Sequence, residues 1–496
     1  MTGKKEPSEI ENTRNAALKR RHFLGALAGV TTTSLIAGHN ATAEGLDLSD
    51  KSADTKGSSE NHYDAIVIGG GFAGVTAARD LSLAGASTLL IEARDRLGGR
   101  TYTSDFGGDE IEFGGTWVHN TQPFVWSEMQ RYGIGILETP GAVAEDFRWI
   151  DANGTLHQLT LEQFESLASG WQTYHAEGRY LLPRPFDLMH NREAVLANDT
   201  KRAIDHLGAM PLDELQKDFI ETMISLFGHC KAEDTAYLEM LRFHVLGGDY
   251  FPTLMDATTR FQIDGGTQRL IRAMVEEGHF QSVLNTPVQA LTQTESNVLV
   301  QTVAGKTFSA NHVVCSAPMN TLNDIRFDPP LPAGLNAMSA EKHPGIGHKI
   351  FMKITSPIAN FSVFSPHQQM HYAMTYKLAK DHAIVVAFAN TDGDLDVTDN
   401  ESLQKALRQY VPDATVVAST SHNWVTDEFS KGTWATFRPG WLTAYGDQTA
   451  AQLDRIHFAS GDLGEGWRGT IDGAIRGGKI AARSISEQLK GCVRSE

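Results

Sequence analysis

The chain of 496 residues has little cysteine, and its cysteines form no recognisable motif. Cys230, Cys315 and Cys492 are far apart and odd in number, so the sequence has neither a CxxC pair nor a disulfide framework. His119 and His244 lack partner cysteines or carboxylates at the spacing of metal ligands. We therefore predict that both histidines are structural and that the protein binds no metal.

Long apolar runs and an excess of basic charge are also missing. No apolar run reaches the ~18 residues needed to span a bilayer, so we predict no transmembrane segment. The formal net charge is −17, which argues against a surface for nucleic acid. The remaining composition is that of an ordinary globular protein. Because nothing in it decides the oligomeric state, we allow for a homodimer.

The first 61 residues have the layout of an export signal followed by a linker. In LKRRHFLGALAGVTTTSLIAGHNATAE, the basic residues 19–21 precede a mildly apolar stretch and a small-x-small cleavage pattern at 41–43. Adjacent arginines followed by x-Phe-Leu resemble the twin-arginine signal. We therefore expect a signal peptide over residues 1–43, a polar linker over 44–61 and a periplasmic protein; the alternative is a flexible basic tail.

The segment YDAIVIGGGFAG, residues 63–74, predicts a buried strand that leads into a glycine turn. A helix pattern and a second strand, STLLIEA, follow and end at Glu92, which is the spacing of a dinucleotide-binding βαβ unit. Gly69 permits the tight turn, Gly71 lets the backbone approach a pyrophosphate, and Gly74 lets helix and strand pack closely. Glu92 is placed to accept hydrogen bonds from a ribose.

The residues after Glu92 distinguish FAD from a nicotinamide cofactor. The string EARDRLGGRTYT places Arg94, Gly99 and Arg100 directly after the acid, and a Gly-Gly-Arg turn offers close backbone approach and a fork of donors. It resembles the E-x-x-x-R-x-G-G-R extension of flavoproteins of the amine oxidase and glutathione reductase type. This resemblance implies FAD, with the arginines on the pyrophosphate side.

Two further segments carry a more specific resemblance. FGGTWVH (113–119) and RIHFASGDLGEGWRGTIDGAIRGG (455–478) can meet the flavin end of an extended FAD, the latter as a strand, a glycine turn and a helix. From about residue 63 to 489 the chain resembles the flavin-containing monoamine oxidase family. GGTWVHNTQPFVWSEMQRYG, DEFSKGTWATFRPG and GWRGTIDGAI resemble in particular its bacterial members of nicotine breakdown.

The resemblance implies which residues bind the phosphates, ribose, adenine, ribityl chain and flavin ring of FAD. Carried over position by position, these are Gly69, Gly71, Ala73 and Gly74 for the phosphate turn, Glu92 for the ribose, Arg94, Gly99 and Arg100 for the pyrophosphate, Val288 for the adenine, Asp462 near the ribityl chain, and Gly115, Thr116, Trp117 and Ile471 beside the flavin. Two positions depart from the family. Ser460 replaces a glycine, and Thr433 stands where some relatives have a cysteine that attaches the flavin, so we expect noncovalent FAD.

The resemblance also implies three catalytic residues. Amine oxidation takes a hydride equivalent from the carbon beside a neutral nitrogen, and the protein orients and desolvates the amine. Trp434 matches one of two aromatic walls around the amine, and Thr470 takes the place of the second, so the expected cage has one aromatic wall. Lys349 matches a lysine that holds a water against the flavin. The alternatives are a core tryptophan and an exposed strand lysine.

The resemblance implies an α/β protein with the two-domain fold of FAD-dependent amine oxidases. A Rossmann-like FAD-binding domain is expected to be discontinuous, and a substrate-binding domain of α+β type is expected to be helical in its first half and to contain strands in its second. The expected segments are 62–119, 259–325 and 435–490 for the FAD-binding domain, and 120–258 and 326–434 for the substrate-binding domain.

These motifs predict an exported FAD-dependent amine oxidase or dehydrogenase. The expected substrate is a small amine with an aromatic group, with pseudooxynicotine as the leading candidate, and the product imine is hydrolysed to an aldehyde and a smaller amine. Electrons pass to oxygen or to a redox protein. The alternatives are a nicotine-type enzyme acting on a cyclic amine, an amino-acid or polyamine oxidase, a flavin desaturase, and a flavoprotein scaffold without turnover. The presence of Lys349 and Trp434 weakens the last of these.

Overall fold

The structure of the chain, a computed structural model, describes residues 62–391, 393–450 and 452–493. The predicted signal peptide and linker lie outside the described residues, so both stay predictions. Among the helices of the described part, none combines the length and the apolar character that crossing a bilayer requires.

The amino-terminal βαβ unit forms as the sequence predicts. Strand His62–Ile68 is buried over its last four residues, because an unbroken apolar run covers both faces of a central strand. Helix Phe72–Leu83 follows the glycine turn, and strand Thr88–Ile91 runs parallel to the first strand. Since this strand ends one residue before Glu92, the carboxylate lies at the carboxyl edge of the sheet, where open α/β folds bind ligands.

The βαβ unit belongs to an eight-stranded sheet. The alternating pattern of residues 288–315 predicts a hairpin-like series, and these residues form three antiparallel strands. Cys315 is buried at the end of this series, as expected of a small apolar residue. In spatial order the strands are Arg326–Asp328, Val288–Gln293, Val298–Thr302, Thr307–Cys315, His62–Ile68, Thr88–Ile91 and Gln281–Val283, and Ile456–Phe458 pairs with Thr307–Cys315.

The last helix, Ile471–Val493, packs against the first helix, Phe72–Leu83. Ile475 and Val75 belong to the same buried cluster between them. A β-carbon at Gly478 would lie 2.2 Å from the carbonyl oxygen of Ala73, so the crossing requires glycine. The two ends of the described chain therefore meet at the glycine turn.

A second sheet has seven strands and a core of its own. Its strand Ala383–Ala389 is buried along its whole length. Strand His348–Ser356 pairs with it antiparallel and carries Lys349 into the interior. In spatial order the strands are Thr415–Ser421, His348–Ser356, Ala383–Ala389, Met370–Leu378, Phe361–Phe364, Asp146–Ile150 and Leu156–Gln158.

Helices occupy most of residues 161–255, as predicted for the first half of the substrate-binding segments. A capping box between Asp213 and Gln216 begins helix Glu214–Gly228. Further helices are Pro123–Arg131, Leu161–Tyr174, Gly178–Leu181, Arg192–Asn198, Ala203–Gly208, Tyr237–Leu246, Phe251–Met255, Gly266–Glu277, Ala333–Glu341, Asn400–Arg408 and Trp441–Tyr445. Single 3₁₀ or π turns are Pro140–Val143, Leu188–Asn191, Ala232–Asp234, Asp256–Arg260, Met319–Asp324 and Gly446–Gln448, and small ladders join Thr103–Asp105 to Glu110–Glu112 and Ile136–Glu138 to Phe261–Ile263.

The two large sheets draw on different parts of the chain. The eight-stranded sheet uses the segments predicted for the FAD-binding domain, with Arg326–Asp328 lying just beyond residue 325. The seven-stranded sheet uses the segments predicted for the substrate-binding domain. The domain boundaries themselves stay a prediction.

Candidate active site

A cavity of about 510 Å³ is lined by residues that range from the glycine turn to strand His348–Ser356. The wall contains most of the residues that the sequence predicts for the site. These are Gly69, Gly71, Ala73, Glu92, Arg94, Gly99, Arg100, Gly115, Val288, Lys349, Trp434, Thr470 and Ile471. Four other predicted residues do not line this cavity, namely Gly74, Thr116, Trp117 and Asp462.

The glycine turn presents a helix N-terminus to the cavity. Gly71 precedes helix Phe72–Leu83, and no side chain caps this helix end. The first N–H groups of a helix have no partner within the helix and carry partial positive charge. Gly71 and Ala73 both line the cavity, so the turn is suited to bind a phosphate.

Glu92 is held in place by two backbone donors. Its Oε2 accepts a hydrogen bond from the N–H of Gly70 at 2.5 Å, and its Oε1 accepts one from the N–H of Arg94 at 2.8 Å. A carboxylate has about four acceptor sites, so two remain. Glu92 therefore keeps the capacity to accept hydrogen bonds from a ribose.

Arg94 is fixed by residues that lie far along the chain. Its Nη2 donates to Oδ1 of Asp427 at 2.5 Å and to Oγ of Ser430 at 2.7 Å. Burial of Asp427 would raise its pKa, but the hydrogen bond from His422 and the charge of Arg94 together lower it, so this carboxylate is ionised at neutral pH. The sequence does not predict Asp427 or Ser430 as members of the site.

Arg100 joins the cavity wall to Asp462 behind it. Its Nη1 donates to the carbonyl oxygen of Thr433 at 2.6 Å, and its Nη2 donates to Oδ1 of Asp462 at 2.5 Å. The other carboxylate oxygen of Asp462 accepts from the N–H of Met319. Burial opposes ionisation of Asp462, but the charge of Arg100 lowers its pKa. In the structure, Asp462 therefore acts on the cavity by orienting Arg100.

Ser460 offers an unpaired hydroxyl to the cavity. The residue is 3% exposed, it lines the wall, and its Oγ is buried without a hydrogen-bond partner among the described residues. A buried hydroxyl without a partner is costly, which indicates that a bound group supplies the missing partner. Together with the helix N-terminus, Glu92 and the two arginines, this hydroxyl fits a phosphate-rich, ribose-containing cofactor such as FAD.

Lys349 is buried, which rules out the exposed strand lysine that was its alternative. It is 3% exposed, and its Nζ donates to the carbonyl oxygens of Glu112 and Gly114 at 2.8 and 3.0 Å and to Oγ1 of Thr116 at 2.5 Å. Burial lowers the pKa of Lys349, and the charge of Glu112 opposes this shift. Burial likewise raises the pKa of Glu112. The sequence does not predict Glu112 as the partner of Lys349.

Thr116 and Trp117 reach the site through Lys349. Oγ1 of Thr116 accepts a hydrogen bond from Nζ of Lys349. The same Nζ lies 4.8 Å from the centre of the Trp117 ring. The indole N–H of Trp117 donates to Oγ1 of Thr139. The predicted contact of both residues with the flavin stays a prediction.

Trp434 is stacked on a histidine that the sequence does not single out. The ring centres of Trp434 and His229 are 4.0 Å apart, and the ring planes differ by 4°. The indole N–H donates to the carbonyl oxygen of Phe227 at 2.7 Å. Thr470, the other predicted member of the cage, lies in the same cavity wall and donates its hydroxyl to the carbonyl oxygen of Trp467.

Comparison with known proteins places these observations in a family. The sequence model described as flavin containing amine oxidoreductase matches residues 72–486. The chain is 37% identical to pseudooxynicotine dehydrogenase of a Pseudomonas species, over 96% of this chain and 97% of that protein. It is 31% identical to nicotine dehydrogenase of Pseudomonas putida, over 96% of this chain and 98% of that protein.

A solved structure has the same fold. A triple mutant of putrescine oxidase superposes with a TM-score of 0.75 and covers 86% of this chain and 99% of that chain, at 23% sequence identity. At this identity the likeness concerns the fold. It confirms the predicted α/β fold of FAD-dependent amine oxidases.

Proposed function

The chain belongs to the family of flavin containing amine oxidoreductases and is an FAD-dependent enzyme, and from this premise we propose that it oxidises the C–N bond of pseudooxynicotine. More generally, the proposed substrate is a small amine with an aromatic group. The proposed product is an imine, which water hydrolyses to an aldehyde and a smaller amine. The enzyme would thus serve the breakdown of an alkaloid.

The observation that carries this proposal is the asymmetry of the cage. Trp434 supplies an aromatic wall, whereas Thr470 supplies a small hydroxyl-bearing side chain in the same cavity. A cage with one aromatic wall leaves more room beside the nitrogen than a cage with two. This favours a bulky or N-methylated amine. The similarity to pseudooxynicotine dehydrogenase, which extends over nearly the full length of both chains, supports the same substrate class.

The residues of the chain position the amine and exclude water. Bound FAD would supply the acceptor for the hydride equivalent that leaves the carbon beside nitrogen as the nitrogen lone pair forms the C=N bond. The amine has to be neutral for this step, and transfer from water into the buried cavity favours a neutral amine over an ammonium ion. His229, beneath Trp434, is itself neutral because burial lowers its pKa well below the ordinary value. Holding the amine against the flavin converts a bimolecular encounter into an oriented one.

The arginines of the site argue against an amino-acid oxidase. An α-amino acid needs a cation for its carboxylate, and arginine is the usual choice. Within the described residues, the arginines of the cavity wall are Arg94 and Arg100, and both are paired with carboxylates. Arg468 lies two residues before Thr470 in sequence, and Arg242 donates to the carbonyl oxygen of Gly466. Both arginines are buried and paired with Glu239.

A nicotine-type reaction on a cyclic tertiary amine is the second candidate, supported by the similarity to nicotine dehydrogenase. The two candidates differ in the product. Oxidation of pseudooxynicotine followed by hydrolysis gives two molecules, an aldehyde and a small amine. When the oxidised C–N bond belongs to a ring, hydrolysis opens the ring and the amine stays in the same molecule as the new carbonyl group. Mass spectrometry of the products therefore distinguishes them.

The test is anaerobic mixing of the holoenzyme with a panel of amines. We expect pseudooxynicotine to bleach the flavin absorbance faster than nicotine, putrescine or an α-amino acid. Faster bleaching by nicotine would favour the second candidate, and faster bleaching by putrescine or an amino acid would overturn the proposed substrate class. A flavin that stays yellow with every amine would contradict the proposed reaction.

We also propose that the protein is exported to the periplasm through the twin-arginine pathway and that its electrons pass to oxygen or to a redox protein. The export signal lies in residues 1–43. Replacing Arg20 and Arg21 by lysine should keep the enzyme in the cytoplasm of a host that has this pathway, and export of the variant would refute the proposal. Peroxide release during turnover in air would identify oxygen as the acceptor.

A further inference from the structure

His229 combines features that a merely buried histidine does not need. It ends helix Glu214–Gly228 in the left-handed region, with φ of 48° and ψ of 41°. This region favours glycine or asparagine at a helix end and is uncommon for other residues, among which histidine is enriched. An uncommon backbone conformation persists when surrounding contacts determine it, and such positions cluster at functional sites.

The surrounding contacts fix the imidazole on several sides. One face stacks on Trp434 at 4.0 Å and 4°, and Nδ1 shares a hydrogen bond with Oγ1 of Thr433 at 2.9 Å. The carbonyl oxygen of His229 accepts hydrogen bonds from the N–H groups of Ile346 and Gly347. A β-carbon on Gly347 would lie 2.5 Å from Cδ2 of the imidazole, so a side chain there would displace the ring.

The same helix end also holds the indole. The carbonyl oxygens in the last turn of a helix lack partners within the helix, and that of Phe227 accepts the indole N–H of Trp434. Trp434 is therefore fixed through its N–H by Phe227 and across one face by His229. Because the imidazole covers one face, the opposite face and the ring edge remain for the cavity.

We propose that His229 is a positioning residue for amine oxidation, which acts by holding the plane of the Trp434 ring. This inference rests on the proposed function, in which Trp434 forms the aromatic wall of the cage. His229 also lines the cavity, and the role assigned to it is to hold Trp434, which the double-mutant cycle below separates from direct contact with the substrate. The chain thus has a stacked pair of histidine and tryptophan, and both residues line the cavity.

The experiment is a double-mutant cycle with His229→Asn and Trp434→Ala in the holoenzyme. Asparagine tolerates the left-handed conformation and keeps a polar group near Thr433, but it lacks the ring. The rate of flavin bleaching by pseudooxynicotine under anaerobic conditions is measured for the four proteins. A shift of the wall by an ångström is enough to cost about 100-fold in rate. We expect His229→Asn to slow bleaching by roughly 10- to 100-fold with Trp434 present and by no more than about 2-fold in the Trp434→Ala background.

A second measurement does not need a substrate. The visible circular dichroism of bound FAD reports the asymmetry of the groups around the flavin. We expect His229→Asn to change it when Trp434 is present and to leave it unchanged in the Trp434→Ala background. If pseudooxynicotine fails to bleach the wild-type flavin, the proposed substrate is wrong, and this measurement still tests the role of His229.

His175→Asn is the matched control. His175 is also buried and stacked on a tryptophan, Trp171, at 4.1 Å, but neither residue lines the cavity. We expect this variant to lower the melting temperature without changing the flavin signal.

If His229→Asn does not fold, Thr433→Val serves as the second variant, because it removes the partner of Nδ1 and should slow bleaching by a smaller factor. Equal losses with and without Trp434, or no loss in either background, would overturn the proposal.

Discussion

Gly74 lies so close to Gly69 that a β-carbon on Gly74 would be 1.9 Å from the carbonyl oxygen of Gly69. A β-carbon on Gly71, in contrast, would meet its nearest neighbour, Cα of Gly99, at 3.8 Å, which is an ordinary contact. Two glycines of one motif therefore have different physical roles. Gly74 is required by packing of the protein itself, whereas the space beside Gly71 belongs to the cavity.

This difference predicts opposite outcomes for two alanine variants. Gly71→Ala should fold with a melting temperature close to that of the wild-type apoprotein, but it should not retain FAD, because the methyl group occupies the cradle of the phosphate. Gly74→Ala should lose several kcal/mol of unfolding free energy, as overpacked sites do (roughly 1–3 kcal/mol and occasionally more). Circular dichroism melts and the flavin content of the purified variants check both. A yellow Gly71→Ala protein would contradict the assignment of the phosphate site.

Ser460 should contribute to the retention of FAD through its unpaired hydroxyl. Ser460→Ala should weaken FAD binding by roughly 10- to 150-fold, since a hydrogen bond to a charged group contributes about 1.5–3 kcal/mol. Quenching of flavin fluorescence during reconstitution of the apoprotein measures the dissociation constant. Ser460→Gly restores the residue of the wider family and serves as the comparison. Equal affinity of all three proteins would show that the hydroxyl has no bound partner.

Replacing Lys349 by methionine should destabilise the protein, because the buried carbonyl oxygens of Glu112 and Gly114 lose their donor. Each buried acceptor left unsatisfied costs about 1–3 kcal/mol. The loss in unfolding free energy of Lys349→Met, relative to the wild type, is measured by denaturant unfolding. An unchanged free energy of unfolding would contradict the hydrogen bonds of Lys349.

The same variant should change the pH dependence of stability. The pKa of Lys349 is lowered by burial from 10.5 to about 7, so between these values the unfolded chain binds more protons than the folded one. The contribution of Lys349 to the free energy of unfolding is therefore fully present above pH 10.5. This contribution decreases as the pH falls and is lost as the pH passes through about 7. We expect the melting temperature of the wild type, relative to Lys349→Met, to rise as the pH increases from 7 to 10. A constant difference across this range would show that the amine does not titrate there.

FAD should be bound without a covalent link. Thr433, which stands where some relatives carry an attaching cysteine, has a hydroxyl that is engaged with His229. Precipitation of the holoenzyme with acid should leave the yellow colour in the supernatant, and its absorbance should account for the flavin of the intact protein. A yellow pellet after washing would contradict this prediction.

The βαβ unit and the phosphate turn could be predicted from the sequence because their cause is local. An apolar run such as residues 65–68 forms a central strand wherever it is covered on both faces, and glycine spacing determines the turn after it. Glu92 follows the second strand directly, so its place at the sheet edge also results from local order. The same holds for the strand, glycine turn and helix near the carboxyl end.

The burial of Lys349 could not be predicted by periodicity alone. Strand His348–Ser356 is buried on both faces over much of its length, so alternation along the strand does not distinguish an exposed lysine from a buried one. Its resemblance to a family lysine indicated a role, but its three acceptors come from residues 112–116, more than 230 positions away. These acceptors meet Lys349 only after residues 112–116 have packed against strand His348–Ser356 of the seven-stranded sheet.

The first βαβ unit could be predicted from residues that are neighbours along the chain. The prediction of FAD and of a cage containing Trp434 and Thr470 came from the resemblance to a known family. That Asp427 binds Arg94 across 333 positions and that His229 stacks on Trp434 became visible in the folded protein alone. The physical reason is that a side chain finds its partners after distant strands and helices have packed, and no spacing within one segment encodes that distance.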